Sequence, residues 1–175
     1  LKGRAAIVTG AGRGIGKAIA LKMAAAGADA AIVDIDASTA DATAAEILAI
    51  GRRGLAIRAD VCKGDEVQAM VNRTKRELGK IDILVNNAGQ MPSAIAMKYP
   101  KIWEISEEVW DTVIALSLKS AFLCTKAVLP IMMAQKSGNI INMASVAGFM
   151  VRQIIATYGI AKAGIINFTK VAAVQ

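Results

Sequence analysis

The sequence predicts an α/β protein built on a doubly wound parallel sheet. Three observations predict it. Short apolar runs alternate with stretches of helical composition along the whole chain, the pattern of strand–helix–strand units. Glycines crowd the junction between the first apolar run and the first helical stretch. Ala, Ile, Val and Met carry the apolar load while only 4% of residues are aromatic, a composition suited to strands buried on both faces.

The elements follow in order. Residues 5–9 are apolar and end in glycine, and read as a buried strand. Residues 14–26 read as a helix closed by Gly27, and 29–34 as a second strand. The Ala-rich stretch 37–50 is a helix stopped at Gly51. Residues 55–59 form a third strand. In 65–78, Val67, Met70, Val71 and Leu78 recur at helical spacing before Gly79. Residues 81–85 form a fourth strand, and the irregular, proline-containing stretch 90–105 is a loop. Ser106 then caps a long helix over 106–135, with Glu107 and Glu108 placed to complement its dipole. Pro130 is expected to kink or shorten it. Residues 139–143 are a fifth strand, 147–157 a loop, and Tyr158 onward a helix. Ligands of such sheets bind at the carboxyl ends of the strands, so the residues to inspect follow strands one, two, four and five.

Composition narrows the function. The 175 residues suit one domain. The net charge of +7 comes from scattered Lys and Arg with no basic run interleaved with aromatics, so nucleic acid is not an expected partner. There is no His, which removes imidazole triads and HExxH zinc sites, and no metal site is expected. Cys62 and Cys124 lack CxxC spacing and suggest a reducing, cytoplasmic setting. No uninterrupted apolar run reaches the roughly 18 residues that span a bilayer, and Lys2, Arg4, Arg13 and Lys17 frame residues 5–8 unlike a signal peptide. No membrane partner is expected.

The chemistry sits in four clusters. Thr9-Gly10-Ala11-Gly12-Arg13-Gly14-Ile15-Gly16 follows strand one. Glycines there let the backbone turn sharply and approach a pyrophosphate at the helix N-terminus. It is not a phosphate-binding Walker loop, since positions 11 and 18 are both Ala. Asp34 ends strand two, where a carboxylate can accept ribose hydroxyls and repel a 2′-phosphate, favouring NAD over NADP. Arg13 pulls the other way, because a guanidinium could pair with that phosphate. Asp34 weighs more, since an unpaired carboxylate opposes the phosphate directly. Asn86-Asn87-Ala88-Gly89 follows strand four, its amides able to bond neighbouring backbone and its glycine leaving room for a flat cofactor. Ser145 follows strand five, and Tyr158 and Lys162 stand at i and i+4 on one helix face. Free tyrosine, with a pKa of about 10, is a poor base at neutral pH, and a nearby cation favours its phenolate.

Together, in this order and spacing, Thr9-Gly10-x-x-x-Gly14-x-Gly16, Asn86-Asn87-Ala88-Gly89, Ser145 and Tyr158-x-x-x-Lys162 resemble the short-chain dehydrogenase/reductase family, from Leu1 to Gln175. The resemblance implies a Rossmann-type fold with a seven-stranded parallel sheet, an NAD(P) cofactor and hydride exchange with a secondary alcohol or its ketone. It implies that Tyr158 moves the proton at the substrate oxygen, that Ser145 holds that oxygen, and that Lys162 binds the nicotinamide ribose and lowers the tyrosine pKa. Gly10, Arg13, Gly14, Ile15 and Gly16 would form the cofactor turn, Asp34 the ribose contact, Asp60 and Val61 the adenine surroundings, and Asn87, Ala88 and Gly89 the central cleft. Homo-oligomers, dimers or tetramers, follow by the same resemblance.

Two departures stand out. Ser117 occupies the long-helix position where the family carries an asparagine that helps hold a relay water, so an altered relay is expected. The chain also stops at Gln175 inside a helical pattern, without the family's last two strands and substrate lid. A longer working protein is expected, with residues 1–175 a truncated single dinucleotide-binding and catalytic domain whose fifth strand shows an apolar edge. Gln90, Met91, Phe149, Gln153 and Ile154 flank the expected cleft and suggest a mixed apolar pocket. A rival reading, motivated by Ser117 and the short C-terminus, is a catalytically idle NAD-binding sensor or interaction module of the same fold. Intact Ser145, Tyr158 and Lys162 argue against it.

Overall fold

A computed structural model describes residues 1–89, 101–150 and 156–174. Gln90, Met91, Gln153 and Ile154 lie outside the described residues, as does the chain end at Gln175. Five strands form one parallel sheet: β1 (Ala5–Thr9), β2 (Asp29–Asp34), β3 (Gly54–Arg58), β4 (Ile83–Asn86) and β5 (Asn139–Asn142), in the order β3-β2-β1-β4-β5. The helices are α1 (Gly14–Ala25), α2 (Ala37–Ala49), α3 (Gly64–Leu78), α4 (Glu107–Ile114), α5 (Ser120–Gln135) and α6 (Ala156–Ala172). The chain winds outward from β1 through β2 to β3 and then returns to place β4 on β1's other side. That reversal opens a crevice at the carboxyl ends of β1 and β4.

Both faces of the sheet are covered. Ile7, Val33 and Leu84 point to the layer of α3 and α5, where Val67, Met70, Val71, Cys124, Val128 and Met132 complete one core. Ala6, Val8, Ile32 and Val85 point to α1 and α2 and meet Ala20, Ala24, Ala40, Ala44 and Ile47. Alternate residues of a strand thus feed opposite cores, which is why these strands read as continuous apolar runs. The small residues of α1 and α2 let those helices lie close to the sheet.

The structure departs from the expected boundaries in two places that carry physical reasons. Strand four begins at Ile83, not Ile81. The Gln135 side-chain amide takes both backbone groups of Ile81, accepting from its N–H at 3.2 Å and donating to its carbonyl at 2.8 Å. The long helix does not end at Pro130, which lies inside α5. Pro130 is exposed, so water can replace the hydrogen bond it removes. The interruption lies earlier, in a π-helical segment, Ala115–Lys119, that joins α4 to α5. The cap at Ser106 is as expected, its Oγ accepting from Val109 N–H at 3.3 Å. By length and composition the continuous stretch Glu107–Gln135 could cross a bilayer. Here it packs through Val113, Cys124, Val128 and Met132 into the protein interior. At the edge, Ile141 of β5 is exposed.

At the amino ends of the strands, opposite the crevice, two carboxylates gather several of the cations that seemed scattered in the sequence. Asp82 accepts from Ala5 N–H and Arg4 Nη1, each at 2.8 Å, with Lys80 Nζ at 3.3 Å. Asp29 accepts from Arg52 Nη2 at 2.6 Å and from Arg53 N–H and Nε at 3.0 and 2.8 Å. Burial acts to raise both carboxyl pKa values, but the hydrogen bonds and cations together outweigh it and hold both below the ordinary range.

A carboxyl with a depressed folded pKa stabilises the fold above its unfolded pKa, about 3.9 for Asp, and that contribution is lost as pH falls through the folded value. Asp82→Asn should therefore cost about 2 kcal/mol near neutral pH and flatten the loss of stability in acid. Denaturant melts of both proteins as a function of pH measure this; parallel stability curves would contradict it.

Candidate active site

The crevice is built on the glycine turn after β1. Gly10 (φ +62°) and Gly14 (φ +58°) take left-handed backbone conformations that favour glycine. Gly16 is needed for a different reason. A Cβ there would overlap the Gly10 carbonyl oxygen and lie 2.5 Å from Asn87 Nδ2, so α1 can reach the turn only without a side chain at that position. Open space lies over Gly14, and no side chain caps the start of α1. The first N–H groups of α1 are thus left to an anion.

Thr9 and Asn87 tie this turn to β4. Thr9 Oγ1 donates to the Val85 carbonyl at 3.3 Å and accepts from the N–H groups of Asn87 and Ala88 at 3.1 and 3.0 Å. The Asn87 amide returns the bond, donating to the carbonyls of Thr9 and Gly10 at 2.9 and 3.1 Å.

Further along the crevice, Lys162 of α6 is buried, only 4% exposed. Its ammonium donates to the Met143 carbonyl, at the end of β5, at 2.5 Å and stands 5.6 Å from the centroid of the Tyr158 ring. Burial pushes the Lys162 pKa down. A Cβ on Gly89 would come within 3.3 Å of Lys162 Nζ and 3.8 Å of Ser117 Oγ, so glycine keeps open the space these groups share. Ser117 lies in the π-helical segment, 2% exposed, and its Oγ has no hydrogen-bond partner among the described residues. Ser145 opens a short 3-10 turn, Val146–Gly148, and its Oγ accepts from Ala147 N–H at 3.2 Å. That turn rests on α6: a Cβ on Gly148 would meet the Lys162 carbonyl carbon at 2.8 Å, and one on Gly159 the Ala147 oxygen at 2.9 Å. Two missing side chains therefore bring Ser145 beside the helix that carries Tyr158 and Lys162.

A family model described as short chain dehydrogenase matches residues 4–175. This chain belongs to that family. It is 45% identical over 174 residues to a 3-oxoacyl-[acyl-carrier-protein] reductase of a Synechocystis strain, which covers 99% of this chain and 68% of the relative. Among solved structures, an NAD+-bound xylitol dehydrogenase superposes with a TM-score of 0.93 at 32% identity, covering 99% of this chain and 65% of that one. A 7α-hydroxysteroid dehydrogenase complexed with NADH and 7-oxoglycochenodeoxycholic acid gives 0.88 at 33%, covering 96% and 63%. The chain thus spans about two thirds of these proteins' length. Its family consists of oxidoreductases that use NAD(P).

The short-chain dehydrogenase crevice fits such a dinucleotide. The open glycine turn and uncapped helix suit a pyrophosphate, and the unpartnered Ser117 Oγ beside Lys162 suits a polar occupant. Ile15 stands exposed on the first turn of α1, and Arg13 beside it is also exposed. Asp34 ends β2, its Oδ2 accepting from Gly12 N–H at 2.9 Å and its Oδ1 from Asp36 N–H at 3.2 Å. Asp60 Oδ1 accepts from Cys62 N–H at 3.0 Å, and Val61 is buried within the core. Thr9 was legible in the sequence as part of the turn motif but not as its anchor. Asn87 bonds neighbouring backbone as expected, but Asn86 bonds side chains instead: its Nδ2 donates to Thr125 Oγ1 at 3.2 Å and Asn142 Oδ1 at 2.8 Å. Asn142 continues the chain to Thr169 Oγ1 at 3.0 Å. A polar residue inside an otherwise apolar strand was the available signal for it.

Gly16→Ala should lower stability by about 1–3 kcal/mol and weaken nicotinamide-dinucleotide binding, as read by denaturation and fluorescence titration. Unchanged binding would mean that the close approach of α1 to Gly10 is not what shapes the turn.

Proposed function

We propose that this dehydrogenase exchanges hydride between NAD(H) and a secondary alcohol or its ketone, with Ser145, Tyr158 and Lys162 as its catalytic group. One observation carries the reading: Lys162 is buried at the carboxyl ends of β4 and β5 with its ammonium beside the Tyr158 ring and over Gly89. Among the described residues no carboxylate pairs with it to offset its burial as an ion pair would. The bound nicotinamide supplies or takes the hydride. Tyr158 gives its hydroxyl proton to the carbonyl oxygen in reduction and takes it from the alcohol in oxidation. Ser145, its hydroxyl proton free to turn outward, holds that oxygen by donating to it. Lys162 binds the ribose and, with its pKa lowered by burial, passes on a proton more readily than an exposed lysine. Ser117 faces the same space as Lys162 and serves as the next polar station behind it.

The cofactor-binding set comprises Gly10, Arg13, Gly14, Ile15, Gly16, Asp34, Asp60, Val61, Asn87, Ala88 and Gly89 with Tyr158 and Lys162, and residues 1–175 form one dinucleotide-binding and catalytic domain. The acidic end of β2 supports NAD(H) over NADP(H). Exposed Val146, Phe149 and Met150 on the turn after Ser145 support a substrate with an apolar flank; the relatives' names, a 3-oxoacyl reductase and a hydroxysteroid dehydrogenase, are in keeping with that. Exposed Phe122 and Ile160 on α5 and α6 support a homo-oligomer, dimer or tetramer. The free thiols Cys62 and Cys124 suit a reducing cytoplasm.

Tyr158→Phe should lower turnover by about 10²–10⁴-fold while NADH binding stays intact, measured by nicotinamide absorbance over an alcohol and ketone panel and by fluorescence titration. NADH binding with no turnover of any panel member by the unaltered protein would instead favour an idle NAD-binding sensor. At Ser117, the Ser117→Asn variant should turn over faster with unchanged cofactor affinity; equal or slower steady-state turnover counts against a weakened relay.

A further inference from the structure

Two hydrogen bonds among the described residues tie α6 to β5 and the residue that follows it. One is the Lys162 ammonium on the Met143 carbonyl at 2.5 Å. The other involves no residue assigned to the chemistry: Asn142, the last residue of β5, donates from Nδ2 to Thr169 Oγ1 at 3.0 Å. Thr169 stands two helical turns beyond Lys162 on the same face of α6, about 10 Å further along the axis. Its hydroxyl is itself fixed, donating to the Ile165 carbonyl at 2.7 Å. Consecutive residues, Asn142 and Met143, therefore hold α6 at two points, and Ile165, buried, lies between those points on the helix.

Asn142 is held in turn. It is the register partner of Asn86 on β4, whose Nδ2 donates to Asn142 Oδ1 at 2.8 Å and to Thr125 Oγ1 of α5 at 3.2 Å. A chain of side chains, Thr125–Asn86–Asn142–Thr169, thus runs from α5 through two strands to α6. Because Asn142 accepts on one side and donates on the other, one orientation of its amide satisfies both. Elsewhere α6 is set by close packing. A Cβ on Gly164 would lie 2.8 Å from Leu118 Cδ2, in the π-helical segment that also carries Ser117. Apolar packing decides how near the helix comes but has no direction. A hydrogen bond weakens steeply when displaced, so it decides where the helix stands along its own axis.

We propose that Asn142 and Thr169 are positioning residues: their hydrogen bond sets the place of α6 along β5 and so holds the Lys162 ammonium on Met143 beside Tyr158. The proposal rests on the catalytic reading of Tyr158 and Lys162 above and extends it to two residues outside the motifs.

The test compares Thr169→Val, which keeps the branched shape and removes the acceptor, with Thr169→Ser, which keeps the hydroxyl. Turnover is read by nicotinamide absorbance at saturating cofactor, with thermal melts to give the folded fraction. Thr169→Val should lower kcat about tenfold, short of the roughly 10²-fold that a 1 Å misplacement can cost, with substrate KM within about twofold. Thr169→Ser should restore kcat. Asn142→Ala should lower kcat likewise from the strand side, and adding Thr169→Val to it should cost nothing further. Should Thr169→Val not fold, Thr169→Ala, a better helix former, serves in its place. An unchanged kcat, a loss that only follows the folded fraction or appears in KM instead, or a loss that Thr169→Ser does not restore overturns the assignment. With Tyr158→Phe still impaired, the catalytic reading then stands. An unaltered protein that turns over no member of the alcohol and ketone panel overturns both.

Discussion

The Thr9 hydroxyl is the point on which the crevice depends. It is buried between β1 and β4 and takes part in three hydrogen bonds, to Val85, Asn87 and Ala88, across some 76 to 79 residues of sequence. Its value lies in what it leaves satisfied. Where the chain leaves β4, the Asn87 N–H shares the Val85 carbonyl at 3.1 Å, and the Ala88 N–H no longer faces a ladder partner; a donor left unpaired away from water would cost about 1–3 kcal/mol. Thr9 accepts both. The Asn87 amide then caps the carbonyls of Thr9 and Gly10, so the two loops that form the crevice hold each other rather than hanging from their strands.

From that anchor the rest of the site follows by close approach. Gly16 lets α1 meet the turn, Gly148 and Gly159 let the Ser145 segment settle on α6, and Gly89 leaves space beside Lys162 and Ser117. Side chains are absent where these segments approach one another, and the buried Lys162 ammonium and Ser117 hydroxyl stand where a bound group could meet them. Lys162 is the costliest of these. Its burial lowers its pKa and leaves one carbonyl, Met143, as its acceptor, a poor bargain for stability and a reasonable one for chemistry.

The two ends of the sheet have divided their tasks. At the amino ends, Asp29 and Asp82 draw Arg4, Arg52, Arg53 and Lys80 into a tight set of ion pairs. At the carboxyl ends, Lys162 is buried beside the crevice, while Arg58 and Lys63 pair with Glu66 beyond β3. The basic surplus of the composition is therefore in part structural, which its linear scatter concealed.

The sequence by itself determined the alternation of strands and helices, because strand burial and helical periodicity are local properties that a window of a dozen residues displays. It also singled out the glycine turn, Asn87, Ser145, Tyr158 and Lys162, which the fold brings towards the carboxyl ends of the strands because rigid elements carry them. Strand four's start was misplaced because Gln135, 54 residues away, occupies the backbone of Ile81. Pro130 does not shorten the helix, because exposure makes its missing hydrogen bond cheap. The tertiary structure alone decided that Thr9 anchors the turn, that Asn86 joins Asn142 across β4 and β5, and that Asp34 reaches Gly12. Each of these depends on which strands become neighbours, and a hydrogen bond between residues tens of positions apart leaves no local pattern by which to read it.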